Sequence, residues 1–252
     1  MTVCNNTFTG QISPRPGKPY SEIPRDAEQN VLMPASALFA GLSASACHEI
    51  LLCARTRTFF RHEILFSQGQ PVNTFVLIRS GRVKLTQVSC DGSEVILWMN
   101  GSGDALEVHN SASGCIHTCS ARAMEKCQTL VWEYSRLQLL VAQFPQIGAN
   151  IFKILSARLR ELEERFREIA TEKAENRLAL VLLRLLKSVG RQTSDGVELG
   201  LKREELAQMT GTTLFTISRI LSKWGEAGFV VPRRAGVLIR DPKQLMAALE
   251  EQ

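Results

Sequence analysis

The spacing of apolar positions changes character several times along the chain, and each change predicts a different kind of element. Leu42, Ala46, Ile50 and Cys53 fall on one stripe, which predicts a short helix across Leu38 to Arg55 with Ser43 as its N-cap. From Thr58 to Tyr134 the pattern becomes short apolar runs divided by glycine-bearing turns: Gln68-Gly69, Ser80-Gly81, Asp91-Gly92 and Gly101-Ser102-Gly103-Asp104. The runs Phe75 to Ile78, Val83 to Val88, Val95 to Met99 and Thr129 to Trp132 are rich in β-branched and aromatic residues. Antiparallel strands closing into a compact β-barrel or β-roll are expected there.

After Pro145 the period turns helical. Leu155, Leu159, Leu162, Phe166 and Ile169 recur at alternating spacings of four and three, the pattern of a coiled-coil seam, while Arg158, Arg160, Glu161, Glu163, Glu164, Arg165, Arg167 and Glu168 fill the other faces. Such a stripe either meets an identical partner helix or packs on the chain's own β-domain. Ala174 to Val189 is apolar on most sides and should open, and sit inside, a last domain. Gly190 to Gly196 reads as a polar turn.

The most informative stretch follows. Lys202 to Met209 predicts one helix, Thr210-Gly211-Thr212 a tight turn, and Thr213 to Ala227 a second helix ended by Gly228. An inner stripe is available from Leu206, Ala207, Leu214 or Ile217, Ile220 and Leu221, as a helix-turn-helix requires. The outer face of the second helix then carries Thr212, Thr213, Phe215, Thr216, Ser218, Arg219 and Lys223. On a helix in a major groove, a guanidinium such as that of Arg219 can bond O6 and N7 of one guanine, a contact worth about 1–3 kcal/mol of discrimination. Phe229 to Ile239 alternates as two strands about the basic turn Arg233-Arg234, which is a wing. Arg233 and Arg234, with Lys202 and Arg203 at the start of the first helix, suit backbone phosphates.

Bulk properties fit this order of elements. A chain of 252 residues exceeds one comfortable core. Residues 1–34, with Pro14, Pro16, Pro19, Pro24 and Pro34, are expected to be a mobile arm. Residues 35–144 would then be a β-roll sensor domain, 145–172 a dimerisation helix and 173–252 a winged helix-turn-helix domain, an α+β chain overall. The formal net charge is +5, and 13 Lys and Arg against 9 Asp and Glu lie between Lys173 and Gln252, so the excess falls where a polyanion would be met. No run approaches the roughly 18 apolar residues of a membrane span, and the first residues lack an apolar signal core. Seven cysteines without a stapling pattern fit a reduced, cytoplasmic setting. No nucleophile elbow, P-loop or zincin motif points to an enzyme.

From Leu38 onward the chain resembles the CRP/FNR family of bacterial regulators. The resemblance is carried by Gly69, Gly81, Val83, Gly103-Asp104, the long helix, and above all the run from Leu201 to Leu221 (Lys202-Arg203-Glu204-Glu205-Leu206 through Thr216-Ile217-Ser218-Arg219). It implies a homodimer placing two recognition helices in successive major grooves of a near-palindromic duplex site, with half-sites about 34 Å apart, and RNA polymerase as a partner. Arg219 falls where the family has its guanine-reading arginine, and Thr216 and Ser218 match positions that contact DNA. Phe215 stands where many members carry a base-reading acidic residue or glutamine, so the half-site should differ there.

The sensor end departs from the cyclic-nucleotide pattern. His117-Thr118 replaces the Arg-Ser or Arg-Thr pair that closes the phosphate cassette, so cAMP, deprived of its main counter-charge, is not the expected effector. Cys115, His117 and Cys119 alternate, and an extended strand would point all three to one face, as metal or haem ligands need. His109, five residues after Asp104, is placed like the axial histidine of the haem-based carbon monoxide sensors of this family. The plainer reading is that these cysteines are small buried hydrophobes and the histidine a hydrogen-bonding strand residue. Two functions therefore stand side by side: a DNA-binding regulator switched at the β-roll, or a haem or small-molecule sensor whose DNA readout is weak or lost.

Overall fold

The computed structural model describes residues 36–106 and 115–250. The arm expected over 1–34 and the candidate ligand His109 lie outside them.

The stripe from Leu38 to Cys53 forms two short pieces. A 3-10 turn, Ala37–Phe39, buries Leu38 and Phe39, and helix α1 starts afresh at Ala44–Leu52, where Ser43 Oγ accepts from the Ala46 N–H at 3.2 Å. Gly41, at φ +75°, divides them, and at Arg55 the chain has already entered a strand. One apolar stripe served both pieces, which is why the periodicity alone read them as a single helix.

Eight strands follow: β1 Arg55–Phe59, β2 Ile64–Phe66, β3 Thr74–Ser80, β4 Val83–Val88, β5 Glu94–Asn100, β6 Ala105–Leu106, β7 Ser120–Ala123 and β8 Cys127–Glu133. They make two antiparallel four-stranded sheets, ordered β1-β8-β3-β6 and β2-β7-β4-β5. Side chains alternate across a strand, and β3 shows both destinations. Val76 and Ile78 enter the space between the sheets with Val83, Leu85, Ala121 and Val131, whereas Phe75 and Leu77 enter a second core with Ile50, Leu130 and Trp132. That second core is roofed by α1, by α2 (Tyr134–Gln143) and by the start of α3 (Pro145–Thr171). Buried Asn150 of α3 fastens the 3-10 segment by donating to the carbonyls of Leu38 (2.9 Å) and Ala40 (2.8 Å).

The last domain holds α4 Ala174–Ser188, β9 Arg191–Thr193, β10 Gly196–Leu199, α5 Arg203–Thr210, α6 Leu214–Glu226, β11 Val230–Arg233, β12 Gly236–Ile239 and α7 Pro242–Glu250. Its sheet runs β11-β12-β10-β9. The segment Gly190 to Gly196, expected to be only a polar turn, contains strand β9. Its side chains are all exposed, so no alternation marks it, and its order comes from pairing with β10 at Gln192↔Val197. Leu182 and Leu185 of α4, Leu206 of α5, Leu221 and Trp224 of α6, and Val237 and Ile239 of β12 build the core. Ile96 and Met99, from strand β5 of the roll, belong to the same core. No helix among the described residues is long and apolar enough to cross a membrane.

Candidate nucleic-acid interface

The turn between α5 and α6 is fixed by local chemistry. The Lys202 N–H donates to Glu205 Oε2 at 3.0 Å and starts α5, and the buried Thr210 hydroxyl donates back to the Leu206 carbonyl at 2.7 Å. Gly211 then takes φ +61°, ψ +42°, the left-handed conformation that a side chain disfavours. Thr213 caps α6, its Oγ1 accepting from the Thr216 N–H at 3.2 Å.

Once started, α6 buries Ile217, Ile220, Leu221 and Trp224, at spacings that make one face. Of the two candidates for the inner stripe, Ile217 is the buried one and Leu214 is exposed. The opposite face presents Phe215, 77% exposed, with Arg219 exposed and Thr216 and Ser218 half-buried beside it. Arg219 has no ion-pair partner among the described residues. Thr212 lies half-buried in the turn, and Thr213 is engaged as the cap. Lys223 is less available than the sequence suggested: its Nζ meets Glu175 of α4 at 2.9 and 3.2 Å, and the same carboxylate accepts from Trp224 Nε1 at 2.9 Å. That pair ties α6 to α4.

The wing forms as read, with β11 and β12 joined by an exposed turn at Arg234 and Ala235. Arg233 is paired to Glu198 of β10 at 2.6 Å, leaving Arg234, Lys202 and Arg203 as the exposed cations flanking α6.

The helical seam is open to solvent on this chain. Phe166 is 76% exposed, and Leu159, Leu162 and Ile169 are exposed with it. Phe152, one turn earlier at the same spacing and 71% exposed, extends the stripe, a residue the sequence reading passed over. Leu155 is half-buried and packs on the core beneath β3 and β8, so it serves the β-roll as well as the stripe.

At the sensor end, the segment 115–119 runs extended against residues 69–72: Val72 N–H donates to the Cys115 carbonyl (3.0 Å) and His117 N–H to the Gln70 carbonyl (2.8 Å). The expected alternation is present, with Cys115 half-buried, His117 and Cys119 buried, and Ile116 and Thr118 exposed. The His117 ring lies parallel to that of Phe66, 4.0 Å between centroids, and Cys119 packs between the sheets. Among the described residues, no group of three or more His, Cys, Asp or Glu side chains could hold a metal ion.

The domains are joined by contacts that no local pattern announced. Lys84 of β4 meets Glu205 of α5 at 3.4 Å, both side chains largely buried. Arg184 of α4 forms a two-pronged pair with Glu168 of α3 at 2.6 and 2.8 Å, and the Glu168 side chain is 4% exposed. Arg165 lies 4.4 Å above the Trp98 ring, bonds Glu161 at 2.6 Å and reaches the Leu97 carbonyl. Burial holds its guanidinium below the usual arginine range.

A β-roll sensor joined by a long helix to a winged helix-turn-helix defines a class: transcription regulators in which one domain senses and another binds DNA. Residues 56–144 match the cyclic nucleotide-binding domain and residues 176–248 the Crp-like helix-turn-helix domain. The chain belongs to the CRP/FNR family of transcription regulators. It is 24% identical, over 85% of its length and 96% of the relative's, to the CRP-like cAMP-activated global transcriptional regulator of Mycobacterium tuberculosis. To the cyclic AMP receptor protein of Thermus thermophilus it is 28% identical, over 79% of this chain and 89% of that one. In fold it is similar to the c-di-GMP responsive global regulator CLP of Xanthomonas campestris (TM-score 0.69, 23% identity, 79% of this chain and 100% of that one). It is also similar to a CooA mutant from Carboxydothermus hydrogenoformans (TM-score 0.64, 24% identity, 80% of this chain and 90% of that one). The relatives it matches in sequence are transcription regulators, not enzymes.

Proposed function

We propose that the chain acts in the cytoplasm as a homodimer, joined along the stripe from Phe152 to Ile169, which lays two α6 helices into successive major grooves of a near-palindromic site. One observation carries the reading: Arg219 stands exposed, without an ion-pair partner among the described residues, on the α6 face opposite the core. A guanidinium so placed can read guanine, while Arg234, Lys202 and Arg203 hold phosphates on either side. Phe215 offers a base edge an apolar ring and no acceptor, which favours contact with a thymine methyl over cytosine. RNA polymerase is the further partner that the family suggests.

Arg219→Ala should lower the ratio of specific to non-specific duplex affinity by about 5- to 150-fold, the equivalent of one lost bidentate contact. Binding-site selection followed by titration at fixed salt measures it. An unchanged ratio would favour the other reading, a sensor whose DNA readout has been lost.

The effector of the β-roll is not proposed to be cAMP. Where the family places its phosphate-binding arginine, this chain has a buried imidazole stacked on Phe66. Burial of His117 and Cys119 weighs against haem on that face. Cys115 is half-buried and His109 lies outside the described residues, so protein expressed with ample haem that shows no Soret band is what removes the haem reading.

A further inference from the structure

Where β5, α3 and α4 meet, the surface folds into a cleft of about 660 Å3, within the size range of small-molecule sites. Among the described residues, none of its lining comes from the outward face of α6, from the wing or from residues 115–119. Ile154, Val181 and Leu185 give it an apolar side. Three residues of its lining carry a buried polar atom without a hydrogen-bond partner among the described residues: Oδ1 of Asn100, Nε of Arg165 and Nε of Arg184. Asn100 is 5% exposed, and Nδ2 of its amide is spent on Asp104 at 3.5 Å, which leaves the carbonyl oxygen as the spare acceptor. Buried polar groups in native proteins are nearly always satisfied, so one acceptor and two donors left open in one cleft call for an occupant.

The charge of the lining says what kind. Five cationic side chains face two carboxylates, Asp104 and Glu161. Three of the five are tied to protein groups: Arg158 to the Ala105 carbonyl, Arg165 to Glu161 and Arg184 to Glu168. Lys153 and Lys187 are exposed and have no ion-pair partner among the described residues. Two free ammonium groups and an unused arginine N–H on residues of one cleft suit a dianion, and the Asn100 oxygen asks for a donor.

We propose that this cleft binds a small hydroxylated phosphate monoester, its phosphate held by Lys153, Lys187 and the Arg184 N–H and its hydroxyl donating to Asn100. The site lies apart from the duplex-reading face, so its occupant would be an input distinct from DNA. Its walls come from the sensor, the long helix and the DNA-binding domain, so an occupant touches all three parts at once.

Titration calorimetry on the full chain, with glycerol 3-phosphate, inorganic phosphate and glycerol as probes, tests it. Glycerol 3-phosphate should bind at least about tenfold tighter than inorganic phosphate, and glycerol should not bind. Lys153→Ala with Lys187→Ala, and separately Lys187→Glu alone, should each weaken glycerol 3-phosphate by about tenfold or more. Both lysines are exposed, so the fold should survive, and an unchanged thermal midpoint confirms that. No binding to the parent chain, equal affinity for inorganic phosphate, or binding that persists in both lysine variants each overturns the proposal. Neither lysine belongs to α6 or the wing, so such a failure leaves the Arg219 reading intact.

Discussion

Gly81 and Gly211 both take positive φ, at +90° and +61°, yet they answer to different constraints. A Cβ on Gly81 would stand 2.6 Å from Cys127 Sγ and 2.7 Å from the Lys126 carbonyl oxygen, whereas one on Gly211 would meet nothing within 4 Å. Gly81→Ala should therefore combine backbone strain with overpacking and cost about 2–4 kcal/mol. Gly211→Ala should cost only the left-handed strain of about 1–2 kcal/mol. Denaturant midpoints of the two variants decide this, and equal losses would refute the distinction. The sequence marked both glycines as turns, because a turn signal is local. It could not tell them apart, because the thiol that crowds Gly81 comes from a strand far along the chain. The same limit applied to Lys223, which looks free on a helical wheel and is held by Glu175.

Elements were legible to the extent that their pattern was periodic and self-contained. Helix α6 was, since its buried face, its capping Thr213 and the left-handed Gly211 all lie within a few turns. Strand β9 was not, being short and exposed throughout. The stripe on α3 predicts a mate: Phe166→Glu should place a charge in each copy of the seam and leave a monomer, which light scattering reads directly. A dimer that persists would mean the helices meet on another face. Glu175 separates two roles of one carboxylate. Glu175→Gln keeps an acceptor for Trp224 Nε1 and loses only the partly exposed Lys223 pair, a change of about 0–1 kcal/mol. Glu175→Ala strands a buried indole N–H and should cost about 1–3 kcal/mol more by chemical denaturation.

At the scale of the molecule, the order of the parts was legible and their docking was not. Lys84 and Glu205 are 121 residues apart, and nothing in either neighbourhood anticipates their meeting. The same holds for Glu168 and Arg184, which lie on different helices. Removing one member of a buried ion pair leaves the other charge without compensation, so Glu168→Ala should cost about 3–5 kcal/mol. It should also loosen the joint between α3 and α4, and cleavage after Lys173 by trypsin should speed up relative to the parent. A variant cut no faster would show that the joint is held elsewhere.

Ile96 and Met99 carry a consequence for how such a regulator can switch. They grow from the roll yet complete the interior of the DNA-binding domain, so lifting that domain away would open that interior, and both side chains, to water. A swinging arm on a slack tether is thereby ruled out as an economical design. Signalling must exchange one snug seating for another, with each seating supplying its own apolar cover.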